Sequence, residues 1–210
     1  MHRNVTLNNV RFNWLTVLEP SAFKPGDPLR YRAEVLIEPD SEADKVLMDA
    51  IKSAAEEKWP GKSDGHVKSA QINRKVCRKL GTEMPPNKDT GELPSHYQDA
   101  VVLSTGRSFD RDGSLRVFCR RKSTGKLVEI DKDTTIDDDL VRPVPGNFGK
   151  VLVTIWGWEH SGAPQLNCTL ESIAFTVEGD PLGSKAPLKT EAILDAFGEE
   201  LEEGTNPFGE

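Results

Sequence analysis

The chain has 210 residues, enough for one domain with a hydrophobic core and an appended segment. It contains no run of 18 apolar residues, so no membrane-spanning helix is predicted, and its N-terminus lacks the layout of a secretory signal. Three widely spaced cysteines, Cys77, Cys119 and Cys168, indicate free thiols in a reducing cytoplasm rather than disulfides or a zinc site. We therefore expect a cytoplasmic protein without a metal or another cofactor.

The net charge of −7 is unevenly distributed along the chain. Residues 190–210 carry seven acidic residues and no Lys or Arg, which leaves residues 1–189 formally neutral. That neutral part contains two basic clusters. The first comprises Lys68, Arg74, Lys75, Arg78 and Lys79, and the second comprises Arg116, Arg120, Arg121, Lys122 and Lys126. Basic patches joined to an acidic tail indicate that the tail and another polyanion compete for the same surface.

The first half of the chain predicts two strands, a helix and a long loop. Apolar residues alternate with polar ones over residues 5–18 and 29–38, as in half-buried strands. An N-cap at Asp40 or Ser41 and an apolar stripe at helical spacing predict a helix over 41–58. Residues 62–96 are polar and rich in Pro and Gly, and we expect a basic loop there.

The second half predicts short strands separated by turns. We expect strands over 97–103, 115–121, 150–158 and 166–177, with turns at 107–113 and 161–164. In 115–121 the residues Arg116, Phe118 and Arg120 share one face, and in 150–158 Trp156 and Trp158 share one face. Many short strands and one helix predict a β-rich (all-β) protein built on a small antiparallel barrel with an extended loop.

Catalysis needs particular residue types at a more specific spacing than the sequence contains. The motifs GxSxG, HExxH and GxxxxGK[ST] are absent from the sequence. Five aspartates, Asp131, Asp133, Asp137, Asp138 and Asp139, crowd into one short run, which is typical of a solvated loop. We expect no enzyme, and a metal-dependent nuclease that uses these aspartates is the alternative.

A surface for single-stranded nucleic acid needs aromatic rings for bases and cations for phosphates. The candidate stacking residues are Trp156, Trp158, Phe118 and Tyr97, and each could instead pack in the core. The candidate phosphate-binding residues are Arg107, Arg116, Arg120, Arg121, Lys122, Lys68, Arg74, Lys75, Arg78 and Lys79. Stacking and phosphate contacts do not separate DNA from RNA.

The acidic tail repels nucleic acid and can fold over a basic groove, from which an arriving strand displaces it. Phe197 and Phe208, apolar residues within the acidic segment, suit a basic-rimmed pocket on a partner protein. A solubilising tail is one alternative, and a protein–protein adaptor without DNA binding is another. The predicted division is a binding domain over 1–182, followed by a disordered linker and tail over 183–210.

Three stretches resemble the closing segment of phage-encoded OB-fold single-stranded DNA-binding proteins: NFGKVLVTIWGW (147–158), LNCTLESIAF (166–175) and EGDPLG (178–183). The resemblance implies a five-stranded OB-type barrel that coats single-stranded DNA in phage replication or recombination. It also implies that the tail recruits replication or recombination proteins. Tails of this kind often end on an aromatic residue, whereas here Gly209 and Glu210 follow Phe208. The sequence leaves the oligomeric state open, with a homodimer among the states considered.

Overall fold

The structure is a computed structural model and describes residues 3–88 and 90–182. These residues form eight strands: β1 Arg3–Ser21, β2 Arg30–Ile37, β3 Arg78–Leu80, β4 Val101–Ser108, β5 Arg116–Arg120, β6 Leu127–Ile130, β7 Phe148–His160 and β8 Ala163–Val177. They also form four helices, α1 Glu42–Lys58, α2 Ser63–Ile72, α3 Ser95–Gln98 and α4 Phe109–Asp112, and a 3₁₀ turn at Gly81–Glu83. None of the helices in the described ranges is long and apolar enough to cross a membrane.

Five strands close into a barrel. The antiparallel pairs are β1 with β2, β1 with β7, β2 with β4, and β7 with β8. A parallel contact between Gly106 of β4 and Thr169 of β8 closes the ring. An odd number of strands cannot alternate in direction all the way round, so one pair must be parallel. The OB-type five-stranded barrel is therefore confirmed, with β3 added beside β4 and the β5–β6 hairpin beside β8.

The barrel core follows from the alternation of side chains along the strands. Val151, Val153 and Ile155 of β7 point inward and are fully buried. Phe12 of β1 meets Phe175 of β8 with ring centroids 4.7 Å apart. Full burial of each such side chain contributes roughly 1.5–3 kcal/mol. The β7–β8 hairpin turns at Ser161 and Gly162, both with positive φ, which suits the right-handed twist of its strands.

Helix α1 covers one side of the barrel, as its apolar stripe predicts. Ser41 is the N-cap, and its hydroxyl accepts a hydrogen bond from the backbone N–H of Asp44 at 3.3 Å. Leu47 and Ile51 are buried where the helix packs against β1 and β7. The carboxylate of Asp44, also buried, receives two hydrogen bonds from Arg78, at 2.8 and 2.9 Å. Burial opposes the charge on Asp44, but Arg78 outweighs it and the pKa of Asp44 lies below its ordinary value.

Two local predictions need correction. Residues 62–96 are not one basic loop, because they contain the second long helix α2, which buries Val67 and Ala70 and contacts α1 and β8. Val67 and Ala70 are the two buried residues of α2, so the sequence has no apolar stripe long enough to predict this helix. The strand predicted over 97–103 begins at Val101 and runs to Ser108, through the start of the predicted turn. It does so because it pairs residue by residue with the whole of β2.

Candidate nucleic-acid interface

A groove lies on the outside of the barrel where β4 meets β8, and we call it the seam groove. Its volume is about 490 Å³. Gly106 and Thr169, the closing pair, form part of its floor, and Trp156 and Trp158 of β7 border it. Ser104 and Ser108 of β4 and Gln165 and Asn167 of β8 supply polar side chains along it. The groove therefore combines aromatic and polar groups on a rigid sheet.

Five cationic side chains line the seam groove: Arg30, Arg74, Lys75, Lys79 and Arg111. No Asp or Glu stands among the described residues that line it. Arg111 forms an ion pair with Asp112 at 2.8 Å. Within residues 3–88 and 90–182, the other four cations have no ion pair. Four unneutralised charges in one groove create a strong positive field for phosphates.

The chain between α2 and β3 holds two of these cations in place. The backbone N–H of Cys77 donates to Leu166 O of β8 at 2.8 Å, and that of Ser104 on β4 donates to Cys77 O at 3.1 Å. This segment therefore bridges both strands of the seam. Lys75 of this segment and Lys79 of β3 line the groove, whereas Arg78 of β3 turns to Asp44 of α1.

The two indoles share one face of β7, as the alternation predicts, and the structure shows that this face points outward. Trp156 is half-buried, and its Nε1 donates to the hydroxyl of Thr169 at 3.0 Å. Trp158 is 49% exposed. The ring centroids lie 6.4 Å apart and the ring planes are 75° apart. Neither indole is sealed inside the barrel, so both can offer a surface for stacking.

A second cavity of about 460 Å³ adjoins the seam groove, and we call it the Trp156 cavity. Trp156, Thr169 and Arg111 line both spaces. The remaining lining residues are Arg107, Asp112, Thr154 and Glu171. Arg107 forms an ion pair with Glu171 at 2.8 Å and also donates to the backbone carbonyl of Asp112. Arg107 thereby connects β4, α4 and β8.

The structure brings together part of the predicted site. Trp156, Trp158, Arg74, Lys75 and Lys79 meet in the seam groove, and Arg107 lies in the adjoining cavity. Two members of the first basic cluster lie elsewhere. Lys68 is exposed on α2 and does not line the groove, and Arg78 is committed to Asp44.

The second basic cluster lies apart from the groove and is largely neutralised. Arg116 pairs with Glu129 at 2.8 Å and Lys122 pairs with Glu178 at 2.8 Å. Arg121 lies 3.2 Å from Asp139 and 3.4 Å from Asp137.

Phe118 and Arg120 belong to the same remote region. Phe118 pairs across from Ala174, while Trp156 pairs across from Asn167, seven residues away along β8. At about 3.3 Å per residue, that separation is roughly 23 Å. Arg120 is half-buried, and its Nε has no hydrogen-bond partner in the described part of the chain.

Tyr97 does not line the seam groove either, and it lies on α3 rather than on a strand. Its hydroxyl donates to Glu34 at 2.6 Å and accepts from Asn13 at 3.0 Å. Burial first, and the Glu34 carboxylate second, raise the pKa of Tyr97 well above its ordinary value. Trp14, 51% exposed, lines the same shallow cavity as Tyr97. Phe197 and Phe208 lie outside the described residues.

Sequence reasoning missed Arg30, Arg111, Gln165 and Asn167. Arg30 lies on the outward face of β2, which the alternation shows, but nothing in the sequence shows that β2 begins beside the seam. Arg111 lies in a segment that reads as a turn. The contact of β4 with β8 that assembles these residues joins positions 63 residues apart, Gly106 and Thr169.

The aspartate run lies in the exposed stretch 131–139. Asp138 pairs with Arg142 at 2.9 Å, and Asp133 pairs with Lys132 at 2.7 Å. Asp139 accepts hydrogen bonds from the backbone and hydroxyl of Ser123, each 2.8 Å. In the described ranges no three His, Cys, Asp or Glu side chains are grouped so that they could hold a metal ion.

The closed barrel, the parallel β4–β8 contact that closes it and the covering helix define the chain as an OB-type protein. A family model described as "Enterobacter phage Enc34, ssDNA-binding protein" matches residues 3–204, and the chain belongs to that family.

The sequence identity between this chain and three individual known proteins is 24% or lower. A solved structure of the single-stranded DNA-binding protein from bacteriophage Enc34 in complex with ssDNA has a TM-score of 0.60 and 15% identity, over 86% of this chain and 89% of that one. The putative protein p50 of Acyrthosiphon pisum secondary endosymbiont phage 1 is 24% identical over 205 residues, 95% of this chain and 97% of p50. The phenylalanine–tRNA ligase beta subunit of Mesorhizobium japonicum is 23% identical over 184 residues, 76% of this chain. That match spans only 23% of the ligase subunit.

Proposed function

We propose that the chain binds single-stranded DNA in the seam groove, with little dependence on base sequence. Bases stack on Trp156 and Trp158, and phosphates contact Arg30, Arg74, Lys75 and Lys79. One observation carries the proposal: among the described residues, two outward indoles and four cations without ion pairs share one groove that has no acidic residue. Aromatic platforms in a cationic groove are how sequence-tolerant proteins hold single strands. Family membership supports the same ligand.

The wider role follows from the ligand. A protein that coats single strands in phage DNA replication or recombination needs no catalytic group, and it acts where phage DNA is copied, in the host cytoplasm. The paired, exposed aspartates offer no support for a nuclease. The homodimer stays a prediction from the sequence.

The tail has two proposed roles, both consistent with its composition. Its seven acids in residues 190–210 compete with DNA phosphates for the unpaired cations of the groove. Once DNA displaces the tail, Phe197 and Phe208 are available to a replication or recombination protein. In this proposal residues 1–182 are the DNA-binding domain and 183–210 the regulatory segment.

A gel-shift and fluorescence titration of the intact chain tests the function. We expect oligo-dT to shift at low salt, duplex of the same length to bind more weakly, and strands incubated with Mg²⁺ to stay intact. Shortened strands would establish the nuclease alternative. A chain that binds no oligonucleotide at low salt would instead favour the protein–protein adaptor.

A further inference from the structure

The Trp156 cavity differs in charge from the seam groove beside it. Two cations, Arg107 and Arg111, and two carboxylates, Asp112 and Glu171, make the cavity formally neutral. Both cations are already engaged, Arg107 with Glu171 and Arg111 with Asp112, each at 2.8 Å. A phosphate binds less favourably in this neutral cavity, beside two carboxylates, than in the cationic seam groove. An uncharged, hydrogen-bonding group is the better match.

The geometry of the indoles directs such a group into this cavity. The planes of Trp156 and Trp158 are 75° apart, so two bases stacked on them cannot lie parallel. The hydrogen bond from Trp156 Nε1 to Thr169 at 3.0 Å fixes the orientation of the inner ring. A strand lying along Trp158 must therefore turn its neighbouring base at Trp156. Trp156 also forms a wall of the neutral cavity.

We propose that the Trp156 cavity receives one unpaired nucleobase of the bound strand, and that Glu171 makes the cavity bind cytosine more tightly than thymine. This inference rests on the proposed function. Glu171 Oε2 accepts from Arg107 at 2.8 Å and Oε1 accepts from Thr154 at 2.7 Å. A carboxylate has about four lone-pair sites, so it can accept a further donor. The exocyclic amino group of cytosine is such a donor, whereas thymine presents a carbonyl oxygen in its place. The protein thus tolerates any sequence along the groove and reads one base beside it.

The test compares the affinities of oligo-dC and oligo-dT of equal length for the intact chain and for Glu171→Gln, at mildly alkaline pH. A glutamine amide donates as well as accepts, so it discriminates less between the two bases. We expect Glu171→Gln to lower the preference for dC relative to dT by about tenfold, the value of one charge-assisted hydrogen bond. Comparing the ratio between variants cancels the intrinsic stacking of each free strand.

Glu129→Gln is the matched control. It removes the same charge and also weakens an arginine pair, that of Arg116, but outside the groove and the cavity. We expect it to leave the dC-to-dT ratio unchanged. A Glu171→Gln variant that alters both affinities by the same factor would overturn the proposal, because the loss of a charge alone acts equally on the two strands.

A second measurement needs no variant. In wild-type protein, oligonucleotides of N4,N4-dimethylcytosine, which lack the amino hydrogens, should bind about tenfold more weakly than oligo-dC. Equal affinities would overturn the reading of cytosine by Glu171. Failure of the wild-type chain to bind any of these strands would instead refute the proposed function itself.

Discussion

Removing Lys75 and Lys79 together tests whether the seam groove is where phosphates bind. Both lysines line the groove without an ion pair among the described residues, and with Arg30 and Arg74 they make four unneutralised charges. For single strands, the logarithm of the binding constant falls with the logarithm of salt concentration by about 0.7 for each phosphate neutralised. Four contacts predict a slope of about −2.8, and two predict about −1.4.

The difference is large enough to measure. Between 50 and 200 mM salt, a slope of about −2.8 weakens binding roughly 50-fold, whereas about −1.4 weakens it roughly sevenfold. We expect wild-type chain to follow the steeper line and Lys75→Ala/Lys79→Ala the shallower one, with weaker binding at every salt concentration. Fluorescence titrations with oligo-dT over this salt range give both slopes.

Two single variants serve as controls for the loss of a lysine. Lys68→Ala removes an exposed charge on α2 outside the groove, and Lys122→Ala removes a charge already paired with Glu178. Both should keep nearly the wild-type slope. The reasoning is refuted if the groove double variant keeps a slope near −2.8, or if Lys122→Ala flattens the slope as much as a groove lysine does.

Two further predictions concern the tail and the fold. Replacing the seven acids of residues 190–210 by their amides keeps the length of the tail and should tighten oligo-dT binding severalfold at 50 mM salt. The replacement should have little effect near 1 M salt, where the Debye length is about 3 Å. Equal affinities of the two chains at low salt would reject competition by the tail. Asp44→Asn should lower the free energy of unfolding by about 2 kcal/mol, because it weakens the buried pair with Arg78, whereas Asp49→Asn, exposed on the same helix, should change it little. Because the folded-state pKa of Asp44 is lowered, this contribution is present above the unfolded pKa and is lost as pH falls through the folded value. Urea unfolding from neutral pH to below pH 4 should therefore show the gap between wild type and Asp44→Asn closing in acid, and a gap that stays constant would contradict the role of the pair.

Local alternation predicted which side chains share a face of a strand. The shared face of Trp156 and Trp158 on β7, and that of Arg116, Phe118 and Arg120 on β5, agree with the burial in the structure. Both follow from the period of two residues in an extended chain. Helix α2 was missed because only Val67 and Ala70 are buried on it.

The sequence located the cations but not their counter-ions. In the sequence the two basic clusters have five cationic residues each. In the fold, Glu129, Asp139 and Glu178 neutralise most of the second cluster. The β5–β6 hairpin brings Glu129 to Arg116, and loop contacts bring Asp139 to Arg121 and Glu178 to Lys122. Conversely, Arg30 and Arg111 join the seam groove through the β4–β8 contact, which no local pattern reveals.

The central claim is that bases stack on the indoles of the seam groove. Trp158 and Trp14 are almost equally exposed, at 49% and 51%, but only Trp158 lies in the groove. The most direct measurement is therefore the quenching of tryptophan fluorescence by oligo-dT in Trp158→Leu and Trp14→Leu. We predict that Trp14→Leu keeps the quench and the wild-type affinity, while Trp158→Leu loses much of the quench and about 1–3 kcal/mol of binding free energy. Full quench and affinity in Trp158→Leu, with their loss in Trp14→Leu, would contradict the account.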